Sequence, residues 1–299
     1  MVNKSVLEVH HLNKSFKQRQ VLKDINFCCS PGRIVGLIGA NGAGKTTTMK
    51  IILGLIHDDG KVLINGERVT FYKHQALQNV GALIEEPGLY PFLSGRDCLK
   101  MVTNPETTQQ TVDSIITDLK IEAYIDKRTN TYSLGMRQKL GIAMALVNSP
   151  KLVILDEPMN GLDPSANQQL RELIKRRAQA GTTFLISSHI LSELQKIADD
   201  VLLLDHGEIV KNTTMNALLA GGQHYLLMKT SNDIKTKKLL IKAGYQLAHT
   251  DEIKILKRAN FKLNPLLIIL AANNIEINDI QHLDEDLEQS VLTTLRGEN

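Results

Sequence analysis

No tryptophan occurs in this chain of 299 residues, aromatic residues make up 4% of it, and only three cysteines are present. Cys28 and Cys29 are adjacent and Cys98 lies far from both, a spacing that suits neither a metal site nor a redox pair; all three read as reduced, small apolar residues. The formal net charge of +3 is too small to point to nucleic acid or an anionic membrane surface as a partner. Long apolar runs are missing too. The longest, Leu266 to Ala272, falls far short of the roughly 20 residues that a helix needs to cross a bilayer, so the chain is not expected to form a pore by itself. Met1-Val-Asn-Lys-Ser5 runs directly into Val6-Leu-Glu-Val9, a strand pattern, and no signal peptide is expected. What the chain does have is 42% apolar residues, ample for a core, in a length that suggests one large or two modest domains.

Residues 39 to 47 read Gly-Ala-Asn-Gly-Ala-Gly-Lys-Thr-Thr, between a strand-like run, Arg33 to Ile38, and a helix-like run, Thr47 to Leu53. This is a complete phosphate-binding loop. Its glycines let backbone N–H groups curl around phosphates, Lys45 reaches the terminal phosphates, and the Thr46 hydroxyl is placed to hold Mg²⁺. The positive end of the following helix adds to the attraction. A structural strand-to-helix bend would not need Lys-Thr at its end, so the loop predicts binding of a nucleoside triphosphate.

Lys151-Leu-Val-Ile-Leu-Asp156-Glu157-Pro158 is an apolar run ending in two carboxylates, the pattern of a buried parallel strand delivering acids to the carboxyl edge of a sheet. Asp156 is expected to hold Mg²⁺ through water. Glu157, one residue on, faces another direction and suits a general base or water-orienting group. One solvated acid at a strand end is common; two acids followed by Pro, partnered with a phosphate loop, are not.

Between these motifs, Thr131-Tyr-Ser133-Leu134-Gly135-Met136-Arg-Gln-Lys-Leu140 leads into the apolar stretch Gly141 to Val147. Ser133 reads as a helix N-cap, and a helix N-terminus carrying a hydroxyl and a close-approach glycine is an anion site. In this order of motifs the chain resembles the ATP-binding cassette (ABC) ATPases, with Ser133 and Gly135 in the signature sequence. Asn160-Gly-Leu-Asp163 resembles the D-loop of that family and His189, in Ile186-Ser-Ser-His-Ile-Leu191, its switch histidine. Phe16 occupies the position of the aromatic that stacks on adenine. The resemblance runs from about residue 5 to 215.

What the resemblance implies is ATP and Mg²⁺ as cofactors, with nucleotide contacts from Phe16, Gly39, Asn41, Gly42, Gly44, Lys45, Thr46, Thr47, Ser133 and Gly135. Metal ligation would fall to Thr46, Asp156 and Glu85, and catalysis to Glu157 and His189, with Asp163 in the D-loop. It further implies a head-to-tail dimer with a second copy, two ATP molecules being sandwiched between the phosphate loop of one subunit and the Ser133 to Gly135 segment of the other. Two departures stand out. Leu134 and Met136 replace a Gly and a Gln of the signature. Glu85, in Glu85-Glu86-Pro87 after the strand Val80 to Ile84, takes the place of a Gln whose carbonyl reaches Mg²⁺; a carboxylate there can still bind the ion, as a harder ligand.

The expected fold is α/β: a P-loop NTPase nucleotide-binding domain over 1–220, with antiparallel β and helical subdomains, the latter about 86–148, and a small α+β accessory domain over 223–299. Asp59-Gly60 is expected to turn a hairpin before Lys61 to Gly66. Strands are expected at His224 to Thr230, Tyr245 to His249, Ile253 to Leu256 and Ile275 to Ile280, and helices at Asp233 to Ala243, Lys262 to Ala272 and Asp284 to Leu295. Pro87 to Leu99, containing Tyr90-Pro-Phe-Leu93, is the expected contact surface for a membrane partner.

With a single phosphate loop and no bilayer-crossing segment, a transporter built from this chain would need a second ATPase copy and separate membrane-spanning permease subunits, through which the chain would sit peripherally at the cytoplasmic face of the cell membrane. Within the family, the Tyr132 to Gln138 signature, Glu85 and the C-terminal extension resemble bacitracin-resistance and lantibiotic-immunity exporter ATPases, which implies expulsion of a peptide antibiotic. The alternatives are another cargo, such as a drug, lipid or polysaccharide, or a non-transport regulatory ATPase. Neither reading involves nucleic acid.

Overall fold

The computed structural model describes residues 5–57, 59–220, 224–248, 250, 252–257 and 261–284. Two compact units are present, Met1–Asn216 and Ala217–Asn299.

The first unit opens with a hairpin, β1 (Leu7–Phe16) and β2 (Arg19–Cys29), followed by β3 (Ile34–Ile38), α1 (Lys45–Ile52), β4 (Lys61–Ile64), β5 (Glu67–Val69) and β6 (Val80–Leu83). Helices α2 (Gly95–Val102), α3 (Gln109–Asp118) and α4 (Leu134–Leu146) come next, then β7 (Leu152–Leu155), α5 (Pro164–Gln179), β8 (Thr183–Ser188) and α6 (Leu191–Leu194). The strands β9 (Asp200–Asp205) and β10 (Glu208–Thr214) close the first unit, and α7 (Met215–Ala220) begins at its end and continues into the second.

These strands make a four-stranded antiparallel sheet, β2-β1-β4-β5, and a six-stranded sheet, β10-β9-β3-β8-β7-β6. In the larger sheet β9, β3, β8, β7 and β6 run parallel and β10 is antiparallel to β9. Every residue of β3, β7 and β8 is buried; β3 and β7 are the continuous apolar runs expected of strands covered on both faces, and β8 adds the buried hydroxyls of Thr183, Ser187 and Ser188. Because β3, β8 and β7 are neighbours, the residues that follow them, Gly39, His189 and Asp156, arrive at one sheet edge. Ligands of open parallel sheets bind at that carboxyl edge.

Asp59-Gly60 does not turn a hairpin. The element before β4 is α1, and β4 pairs with β1 and β5. The tight turn lies one strand later, at Asn65-Gly66, where φ values of 52° and 82° fit the primed geometry that matches strand twist. An Asp-Gly pair marks where the backbone can reverse and does not specify which strands join.

The helical segment packs on the core through α4. Gly141 of α4 lies so close to Pro87 that a Cβ there would come within 2.6 Å of the ring's Cγ. Tyr132, just before α4, donates its hydroxyl to the Tyr124 carbonyl at 2.7 Å, and the two rings meet edge to face. Burial pushes the Tyr132 phenol up to about 12. Tyr90 and Phe92, in the expected contact surface, stay exposed, whereas Cys98 and Leu99 turn inward.

In the second unit β11 (His224–Thr230), α8 (Asp233–Lys242), β12 (Ile253–Lys257), α9 (Leu263–Ala272) and β13 (Ile277–Asp284) follow in sequence. The strands form an antiparallel sheet in the order β12-β11-β13. Its core, with Leu226, Met228, Leu240, Ile253, Ile255, Leu266 and Leu270, is its own. Of the strand expected at Tyr245 to His249, the described residues 245–248 form an isolated bridge, Leu247 to Ile255, and His249 lies outside the described residues. Asp284 ends β13 rather than starting a helix, and the rest of the helix expected from Asp284 to Leu295 lies outside the described residues.

Candidate active site

Strand β3 ends where the glycine-rich loop begins. The loop returns into α1 through Gly44, whose φ of 115° is closed to side-chain-bearing residues. Helix α1 has no side-chain cap and no acid in its first turn. Its leading N–H groups and the positive end of its dipole are therefore directed at the loop, where an anion would sit.

Lys45 is 6% exposed. Its Nζ donates to the Gly39 carbonyl at 2.8 Å and lies 3.3 Å from Glu157 Oε1. A cation enclosed in this way needs oxygen partners, and phosphate oxygens fit the same demand. Thr46 Oγ1 donates to Asp156 Oδ2 at 2.6 Å, and Ser187 Oγ donates to the other oxygen of that carboxylate. Hydroxyl and carboxylate oxygens are the hard donors that Mg²⁺ prefers, and the ion commonly keeps its waters and phosphate ligands beside one or two such groups. Among the described residues no group of three His, Cys, Asp or Glu side chains converges.

Glu157 follows Asp156 with φ at 48°, a left-handed conformation that is uncommon for a non-glycine residue and is encountered at active sites. Its N–H donates to Ser187 Oγ at 2.9 Å, and its Oε2 lies 2.8 Å from His189 Nδ1. One carboxylate thus spans Lys45 from the loop and His189 from the end of β8. Ser187 is a residue that the sequence reading passed over. It sits near the end of β8, two positions before His189, and its single hydroxyl ties Asp156 to Glu157.

Other expected site residues stand apart from this cluster in the chain's own contacts. Phe16, half exposed at the end of β1, has the Lys14 ammonium 5.1 Å from its ring centroid. Asn41 and Gly42 are exposed at the loop tip and Thr47 is half-buried. Ser133 caps α4, its Oγ accepting the Met136 N–H at 3.3 Å, with Gly135 in the first turn. Asp163 caps α5 by accepting the Ala166 N–H at 2.9 Å, a bond that holds its carboxyl below the usual range. Glu85 has φ at 59° and its Oε1 is paired with Lys50 Nζ of α1 at 2.6 Å. Its carboxylate is therefore engaged by a lysine, a partner that sequence spacing did not suggest.

The family model described as ABC transporter matches residues 22–160. Over 97% of its length the chain is 31% identical to an uncharacterized ABC transporter ATP-binding protein, YhcH, of Bacillus subtilis, covering 95% of that protein. It is 32% identical to the bacitracin transport ATP-binding protein BcrA of Enterococcus faecalis, covering 96% of each chain. It is 42% identical to the lantibiotic transport ATP-binding protein SrtF of Streptococcus pyogenes over 69% of this chain and 89% of that one. Among solved structures, the ATP-binding subunit of an ABC transporter superposes with a TM-score of 0.68 at 30% identity, covering 72% of this chain and 92% of the other. A bacterial ABC transporter cassette solved as a dimer superposes with a TM-score of 0.64 at 20% identity, covering 70% and 98%.

Proposed function

This chain belongs to the ABC transporter family as an ATP-binding and ATP-hydrolysing subunit, and from that premise we propose that it energises the export of a peptide antibiotic of the bacitracin or lantibiotic type, protecting the cell that carries it. The observation that supports this cargo is the extent of the match to the bacitracin transport protein, which spans 96% of both chains and so includes the second unit as well as the cassette. Among the described residues no helix is long and apolar enough to cross a membrane. The reading therefore assigns the pathway for the peptide to separate permease subunits, with this protein at their cytoplasmic face as a head-to-tail pair of identical copies.

Each role in the proposed cycle falls to a residue placed above. Phosphate oxygens of ATP bind the N–H groups ahead of α1 and the Lys45 ammonium, and the adenine ring stacks on Phe16. Mg²⁺ held beside Thr46 and Asp156 would neutralise charge on the β- and γ-phosphates. Glu157 accepts a proton from the water that attacks the γ-phosphorus; the bond from that phosphorus to the bridging oxygen breaks, and ADP leaves with the electron pair on its β-phosphate. His189, 2.8 Å from Glu157, orients the carboxylate and can donate to the γ-phosphate. In the closed pair Ser133 and Gly135 of the second copy grip the same γ-phosphate, so its loss releases the interface. Phe16→Ala should raise the ATP concentration for half-maximal turnover about ten-fold and leave the rate at saturation nearly unchanged, since base stacking is worth about 1–3 kcal/mol. Steady-state kinetics across ATP concentration measure both quantities.

The test of the cargo is survival of cells lacking this gene, their membrane subunits intact, across peptide antibiotics and unrelated toxic amphiphiles. Selective sensitisation to a peptide antibiotic, reversed by the wild type and not by Lys45→Ala, is the expected result. Sensitisation to a drug or lipid alone would move the cargo to that class, and an unchanged panel would sink the export reading while leaving the nucleotide chemistry in place.

A further inference from the structure

One buried polar side chain near the reacting groups has no role in the cycle just described. Gln138, on α4 one turn beyond the Ser133 cap, is 6% exposed. Its Nε2 donates to the Pro158 carbonyl at 3.2 Å and lies 3.5 Å from the Glu157 carbonyl. Those carbonyls immediately follow the left-handed backbone of Glu157, whose N–H is already held by Ser187. A non-glycine residue keeps such a conformation only when its surroundings over-determine it. Ser187 grips the turn from β8, and Gln138 grips it from the helical segment.

The packing around Gln138 extends the same connection. A Cβ at Gly161 would lie 2.7 Å from Leu134 Cδ2, and one at Gly135 would lie 2.9 Å from the Gly161 carbonyl oxygen. The first turns of α4 and the segment after Glu157 therefore pack without slack, and a shift of one carries the other. Leu134, one of the departures from the family's signature, supplies the apolar part of that contact.

We infer that Gln138 is a positioning residue for ATP hydrolysis: its amide, donated to the carbonyls after the left-handed turn, holds the Glu157 carboxylate in register with Lys45 and His189. The amide acts through the backbone of Glu157 and Pro158, to whose carbonyls it donates. The inference rests on the assignment of Glu157 as the base. A glutamine that merely satisfied its own polar atoms would affect folding and not the chemical step in particular.

The two roles separate in a kinetic cycle on the full-length chain. Gln138→Leu and Gln138→Met both remove the donor at similar volume, and two variants guard against one folding poorly. Rates are divided by the titre of nucleotide-binding sites, and affinity is read by displacement of a fluorescent ATP analogue. The expected result is a loss of about 10- to 100-fold in kcat, the scale of a small misplacement of a reacting group, with KM for ATP and analogue affinity within about two-fold of wild type. In a Glu157→Gln background the residual rate should not fall further, because the group being positioned is already gone. A kcat within two-fold of wild type, or an equal loss in both backgrounds, overturns the inference and leaves Gln138 a packing residue. Wild-type turnover in Glu157→Gln alone would remove the base assignment as well, a failure visible before any Gln138 variant is made.

Discussion

Glu157→Gln should lower ATP turnover by about two to four orders of magnitude, the usual contribution of a positioned general base, while ATP binding is kept or strengthened. The amide has the carboxylate's shape, so the contacts around it change little in volume; what is lost is the proton acceptor. Each ten-fold is about 1.4 kcal/mol of transition-state stabilisation, so the variant isolates roughly 3–5 kcal/mol in one atom's basicity. Binding should not suffer because Glu157 Oε1, 3.3 Å from Lys45 Nζ, competes with phosphate for that ammonium. Removing its charge favours the nucleotide. With hydrolysis arrested, ATP should hold two copies together long enough for size-exclusion chromatography to separate the pair from the single chain. Turnover within ten-fold of wild type would sink the role given to Glu157.

The largest loss of stability is expected at a glycine outside the nucleotide site. Gly81 lies on β6, where α4 crosses the sheet edge, and a Cβ there would fall 1.8 Å from the Ala145 carbonyl oxygen and 2.8 Å from its carbon. Both are backbone atoms of a helix, so no side chain can swing away; strand and helix would have to part. Overpacking of a core costs about 1–3 kcal/mol when neighbours can yield, and Gly81→Ala should reach or pass the upper end. In a domain of this size that corresponds to a fall of about 6–12 °C in Tm, measurable by circular dichroism. Gly88→Ala is the control, since a Cβ at Gly88 meets nothing within 4 Å. Equal melting of the two variants would show that α4 does not sit on β6 as described.

The contrast between these residues explains what could be read from the sequence. Lys45, Thr46, Asp156 and Glu157 belong to motifs whose chemistry is local, so their spacing marked them as candidates, and the α/β cassette followed from the resemblance that the order of those motifs carries. His189 needed order as well: it is informative only because β8 lies between β3 and β7. Pairings between distant segments left no local trace. Lys50 meets Glu85 across 35 positions, and Gln138 meets the carbonyl of Pro158 across 20. The misread turn at Asp59-Gly60 has the same cause, because turn chemistry marks where a chain can reverse and not which strands will join. In the second unit the alternation of β11, α8, β12, α9 and β13 was visible as periodicity, with no motif beside it, and the apolar positions of that pattern form its core.

The uncapped first turn of α1 and the enclosed ammonium of Lys45 carry a consequence for the folded state. A ligand that binds the folded chain and not the unfolded one stabilises it by mass action, by about 2.7 kcal/mol when present at about a hundred times its Kd. Occupancy of this loop is thus linked to the folding equilibrium of the unit that carries it, and melting followed as a function of added nucleotide reads that linkage directly.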